Sequence, residues 1–155
     1  MTAQNEIIEE ASRLAGEGVS VTLPVNGRSM LPFIVGGRDS VVLQKPGQPK
    51  TGDVVLAWVD GCRYVVHRII RTDGDSITLM GDGNVSSTEH CTAADIRATV
   101  THTVDASGNV RYIYTRRRRW MAGMWRRLLP VRRYLLAALR MYYQYNWHTI
   151  KPKTL

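Results

Sequence analysis

Ile7, Ile8, Ala11, Leu14 and Ala15 recur at the spacing of one helix face, with Glu6, Glu9 and Glu10 in the early turns and Gly16 at the end. That pattern predicts a short amphipathic helix whose acidic start suits the helix dipole and whose glycine is a stop. The period then changes to that of strands. Runs at VSVTLPV (19–25), DSVVLQ (39–44), DVVLAWV (53–59), RYVVHRII (63–70), SITLM (76–80), IRATVTHTV (96–104) and NVRYIY (109–114) are separated by GGRD, KPGQPKTGD, DGC, TDGD and ASGN. Short strands punctuated by Gly and Asp turns predict a mainly β domain, an irregular barrel or a sandwich.

From Arg116 the pattern becomes helical. Met121, Leu128, Leu135 and Tyr142 repeat every seven residues, as do Met124, Val131, Ala138 and Tyr145, while Arg119, Arg126, Arg133 and Arg140 form another row. Pro130 interrupts a continuous helix but suits the first turn of a new one, so two short helices are expected. The chain therefore divides into a β domain over residues 1–115 and a helical tail over 116–155.

Charge sharpens that division. Of the net +8, residues 1–115 hold ten Lys or Arg against thirteen Asp or Glu, whereas residues 116–155 hold eleven basic residues and no acid. A basic amphipathic tail suits an anionic surface. Arg119, Trp120, Trp125, Arg126 and Arg133, with Trp147 and several tyrosines, are the expected contacts with a membrane interface. The same residues would serve a phosphate backbone, the less favoured partner, or the apolar rows would cover the β domain or a second copy.

Cys62 and Cys91 match neither a disulfide framework nor a zinc spacing, and are read as free thiols. His90 and Cys91 are adjacent, with no second pair at ligand spacing, and no glycine-rich phosphate loop leads into a helix with a lysine. No metal or cofactor is expected. The opening MTAQNEIIEEASRLAG is acidic where an export signal needs a basic start and an apolar run, and no window reaches the roughly 18 apolar residues of a spanning helix. The expected location is cytoplasmic, peripherally at a membrane.

The chemistry centres on GRSMLPF, residues 27–33. A serine needs a base within hydrogen-bond reach and donors for an oxyanion. Gly27 and the turn ended by Pro32 would expose Ser29 with its own N–H free, while Met30 and Pro32 would shape the floor beneath it. By itself the stretch reads as a loop. Further along come Asp39, GDVV at 52–55, VVHRII at 65–70 and LMGDGN at 79–84, in that order.

This ordered set resembles the superfamily that joins type I signal peptidases with the self-cleaving SOS repressors of the LexA type, over about residues 21–104. The resemblance implies that superfamily's irregular β core and a serine endopeptidase that cleaves leader or signal peptides. It makes Ser29 the nucleophile and puts His67 at the base position. In this respect the chain is similar to the archaeal and endoplasmic reticulum branch, where a histidine before an arginine replaces the usual lysine. The four lysines lie at 45, 50, 151 and 153, away from that position. Histidine accepts a proton near neutral pH without special tuning. Arg68 is expected to be a support, bonding a carboxylate such as Asp82 bidentately. For the acid behind His67, Asp82 is the first candidate and Glu89 the alternative, or the enzyme runs as a dyad. Two other readings stay open: a self-processing regulator cut at Ala15-Gly16, and a non-catalytic adaptor that binds peptides or membranes with the same fold.

Overall fold

The computed structural model describes residues 3–146; Trp147, expected above as an interfacial aromatic, lies outside them. A curled antiparallel half-barrel of eight strands forms the body, with one helix before it and two after it. Helix α1 (Ala3–Gly16) leads into β1 (Val21–Pro24), β2 (Ser40–Gln44), β3 (Val54–Val59), β4 (Arg63–Asp73) and β5 (Ser76–Met80). Strand β6 (Glu89–Thr92), a short 3-10 turn, β7 (Ile96–Val104) and β8 (Val110–Tyr112) follow, then α2 (Arg116–Arg127) and α3 (Leu129–Tyr145). Every expected strand is present within a few residues of its expected ends, and β6 is an addition.

The strands run in the order β1-β2-β7-β3-β4-β5-β6, with β8 paired to β7. β3 is therefore central. Its apolar run VVLAWV is buried on both faces, so no polar alternation is required of it. Val54 and Leu56 join a first core with Leu23, Met30, Ile34, Val41, Leu43 and Val100, closed by Ala11 and Ala15 of α1. Val55, Ala57 and Val59 face the inside of the curl with Val65, Ile69, Ile77, Leu79, Cys91 and Ile96. At the far side of that curl β6 comes into contact with β3.

The two cysteines sit in opposite environments. Cys62 is exposed in the β3–β4 turn, whereas Cys91 is buried on β6 and burial pushes its thiol up to about 11. Because the thiolate is the reactive form, iodoacetamide at about pH 8 should alkylate the folded protein once, at Cys62. Peptide mass analysis checks this; a second adduct on Cys91 without denaturant would contradict the packing of β6.

Pro130 falls in the first turn of α3, as its missing N–H allows, and Thr115 caps α2 by accepting a hydrogen bond from the Arg118 N–H. The helices are not a free tail. Trp125 and Leu136 pack on Leu31 and Val35, with Phe33 and Tyr143 at the edge of the cluster. The rows that meet the body are thus those of Ala122, Trp125, Arg132 and Leu136, while Met121, Met124, Leu128, Val131 and Leu135 face solvent. Among the described residues no helix is long and apolar enough to cross a membrane.

Candidate active site

Strand alternation decides which side chains of β4 meet. Val65, His67 and Ile69 point into the curl, and on β6 Glu89 and Cys91 do the same. His67 is only 4% exposed and Glu89 only 9%. Their side chains bridge the rim of the curl, His67 Nδ1 lying 2.8 Å from Glu89 Oε2. The carboxylate accepts the Nδ1 proton, which fixes the tautomer with the lone pair on Nε2. The other Glu89 oxygen accepts from Arg63 at 3.4 Å.

Ser29 lies in the loop between β1 and β2, half-buried. The loop is held against residues 81–84 by the Gly83 N–H, which donates to the Ser29 carbonyl at 2.6 Å. That approach explains the glycines. A Cβ added at Gly83 would fall 2.2 Å from the Arg28 carbonyl oxygen, and one at Gly81 would fall 2.3 Å from the Ser29 oxygen, so neither position admits a side chain without moving the loop. The same Gly81 point lies 3.1 Å from His67 Nε2. The free edge of the imidazole and the Ser29 backbone are therefore neighbours across Gly81. Ser29 Oγ and the Ser29 N–H form no hydrogen bond among the described residues.

Beside Ser29 is a cleft of about 160 Å³ lined by Leu23, Met30, Ile34, Leu56 and Tyr64, with Gln4 and Ile8 of α1 on one wall. Gly27, in the left-handed region at φ 87°, lines it too. Pro32 does not; it is half-buried further along the same loop.

Asp82, the first candidate for the acid, does not face His67. Both its oxygens accept from Arg68, Oδ1 from Nε at 2.9 Å and Oδ2 from Nη2 at 2.8 Å. The reason is again alternation: Arg68, one residue after His67, points to the opposite face of β4. Arg68 also donates to the Gly52 carbonyl at 2.9 Å and lies 5.7 Å from the centre of the Phe33 ring. Burial works against its charge, yet Asp82 beside it holds the guanidinium above its ordinary value. GRSMLPF, GDVV, VVHRII and GDGN thus converge on one arginine.

The C-terminal helices reach this same loop. Trp125 Nε1 donates to the Asp82 carbonyl at 2.7 Å, Arg132 to the carbonyls of Gly81 (3.1 Å) and Asn84, and Arg140 to that of Gly83 at 3.1 Å. Trp125, expected at a membrane, is a buried brace instead. Arg132, at 2% exposure, has no ion-paired carboxylate among the described residues and stacks 5.6 Å from the Trp125 ring centre. The other expected contacts differ. Trp120 is 66% exposed; Arg133 is exposed and stacked on Tyr134; Arg119 lies over Tyr114; Arg126 is half-buried.

Residues 3–101 match the model of the Peptidase S24-like family. The chain belongs to that family. Peptidase S24-like proteins comprise serine peptidases and LexA-like self-cleaving proteins, and some members are non-catalytic. The match covers α1, the loops that carry Ser29 and Asp82 and the strands that carry His67 and Glu89, and ends before α2 and α3. In this Peptidase S24-like chain the Ala15-Gly16 bond is not offered to the cleft, because Ala15 is fully buried in the last turn of α1.

Proposed function

We propose that the protein is a serine endopeptidase of the histidine-base kind, cleaving leader or signal peptides at a Ser29–His67–Glu89 triad. The observation that carries this is the buried His67–Glu89 hydrogen bond at 2.8 Å, which leaves Nε2 on the Ser29 side. A lone core histidine would have no need of a buried carboxylate whose only other side-chain ion-pair partner among the described residues is a half-exposed arginine.

Ser29 Oγ attacks the carbonyl carbon of the scissile bond while His67 Nε2 takes the hydroxyl proton. Glu89 stabilises the imidazolium, and the Ser29 N–H is one donor to the oxyanion. Collapse breaks the C–N bond, and His67 returns the proton to the leaving amine. Water, deprotonated by His67, then hydrolyses the acyl-enzyme, releasing the new carboxylate and restoring Ser29. The substrate runs as an extended strand past Ser29, a small apolar side chain entering the cleft by Leu23, Met30 and Tyr64.

A serine-directed fluorophosphonate tests the nucleophile. The wild type should gain one adduct on the peptide carrying Ser29, and Ser29→Ala none; a signal-peptide substrate should be cut by the unlabelled wild type and by neither Ser29→Ala nor the labelled protein. Equal labelling of both, or none of the wild type, would leave a non-catalytic peptide-binding member of the family. Self-processing is disfavoured by the burial of Ala15, and the intact mass should stay at 17.5 kDa on long incubation.

A further inference from the structure

The α2–α3 pair has two apolar stripes, and only one meets the body. Trp125 and Leu136 use the inner one on the Ser29 loop. The outer stripe runs through Trp120, Met121, Met124, Leu128, Val131 and Leu135, exposed by 66, 41, 39, 37, 50 and 41%. Leu128 stands at the α2–α3 junction, and Pro130 lies in the first turn of α3 just after it. Arg116, Arg117 and Arg127 flank it and are exposed, and no acid stands anywhere in 116–146.

We propose that this outer face docks on an anionic lipid bilayer, the helix pair lying in the plane of the interface. Indole and thioether side chains beside guanidiniums are what the boundary between headgroups and acyl chains accommodates: apolar groups enter it and cations stay with lipid phosphates. A nucleic acid would use the arginines but offers nothing to a methionine and leucine stripe, since such interfaces are predominantly polar. A second copy of the chain would bring these arginines together with no acid to answer them, and like charges across an interface oppose association.

The consequence for the site is geometric. The inner row of the same helices holds the carbonyls of Gly81, Asp82 and Asn84, so the docking helices are bonded directly to the loop beside His67.

Full-length protein is floated with vesicles of phosphatidylcholine alone and of phosphatidylcholine with phosphatidylglycerol, at low and high salt. Co-flotation is expected with the anionic vesicles, weakened by salt, and abolished in Trp120→Glu/Leu128→Glu. Arg116→Ala/Arg117→Ala should weaken it about 25-fold, near fivefold per charge. All four positions are exposed, so unchanged thermal unfolding and retained fluorophosphonate labelling separate lost docking from lost folding or chemistry. Absence of flotation by the wild type, or equal flotation of the Trp120/Leu128 variant, overturns the proposal. So does a concentration-dependent dimer dispersed by that variant, or binding to a polynucleotide in preference to the anionic vesicles.

Discussion

Glu89→Gln should lower peptide hydrolysis by about 10⁴-fold in kcat with little change in KM, the scale at which a triad is lost when its acid becomes an amide. The geometry supplies the reason. Glu89 is the carboxylate on His67 Nδ1, and a glutamine in its place offers either an NH₂ or a neutral carbonyl. The first puts the imidazole proton on Nε2, where it cannot accept from Ser29. The second keeps the tautomer but gives the imidazolium no counter-charge. Because uniform binding is untouched, the loss falls on the chemical step, and fluorophosphonate labelling of Ser29 should slow in parallel. Asp82→Asn is the contrasting variant. Its carboxylate lies on Arg68, so any loss of activity should follow a loss of folded protein and be recovered at lower temperature. Retention of activity in Glu89→Gln within about tenfold would identify a Ser29–His67 dyad and make the Glu89 contact merely structural.

The strands were legible because their signal is local. β5 and β7 have the ends that alternation and turn residues predict, and β3 reads as an apolar run because both its faces are buried. β6 was not. Its four residues, EHCT, hold a charge and a histidine, and the pattern that makes it a strand is the pairing of Leu79 with Glu89 and Ile77 with Cys91, which the sequence of β6 alone does not display. The same pairing sorts the two carboxylates. In sequence Glu89 is a carboxylate in a loop and Asp82 stands in a motif; once β6 folds onto β5, Glu89 shares a face with His67 and Asp82 takes the arginine next door.

The helices hid their orientation for a different reason. A sequence with two apolar stripes does not say which is inside, and the bulkier row, Met121, Leu128, Leu135 and Tyr142, is the exposed one. The body chose the row of Trp125, Arg132 and Leu136 because its polar atoms match what the loop after β5 offers: an indole N–H and a guanidinium meet the carbonyls of Gly81, Asp82 and Asn84, which have no strand to pair with. A buried arginine in an apolar row was the available signal.

The second large effect is expected from the buried Arg68–Asp82 pair. Arg68→Leu should lower the melting temperature by about 6 to 20 °C, since it leaves the Asp82 carboxylate, only 4% exposed, without its counter-ion. Breaking one side of a buried pair costs about 3 to 5 kcal/mol, and a chain of this size loses about 2 to 4 °C per kcal/mol. The pair's net contribution is a separate matter, because charge burial opposes much of the attraction. Arg68→Leu/Asp82→Leu should therefore recover most of the melting temperature, and the double-mutant cycle with the two single variants should show strong coupling. Activity should behave differently. Arg68 is also bonded to Gly52 and stacked on Phe33, and the loop it holds donates the Gly83 N–H to the Ser29 carbonyl. An apolar pair restores packing but ties neither Gly52 nor the residue 81–84 loop by hydrogen bonds. The double variant should thus fold like the wild type and still hydrolyse peptide more slowly, with kcat affected more than KM. Full recovery of both would show that Arg68 serves stability alone, and a single variant melting within about 2 °C of the wild type would mean that the pair is not buried in solution.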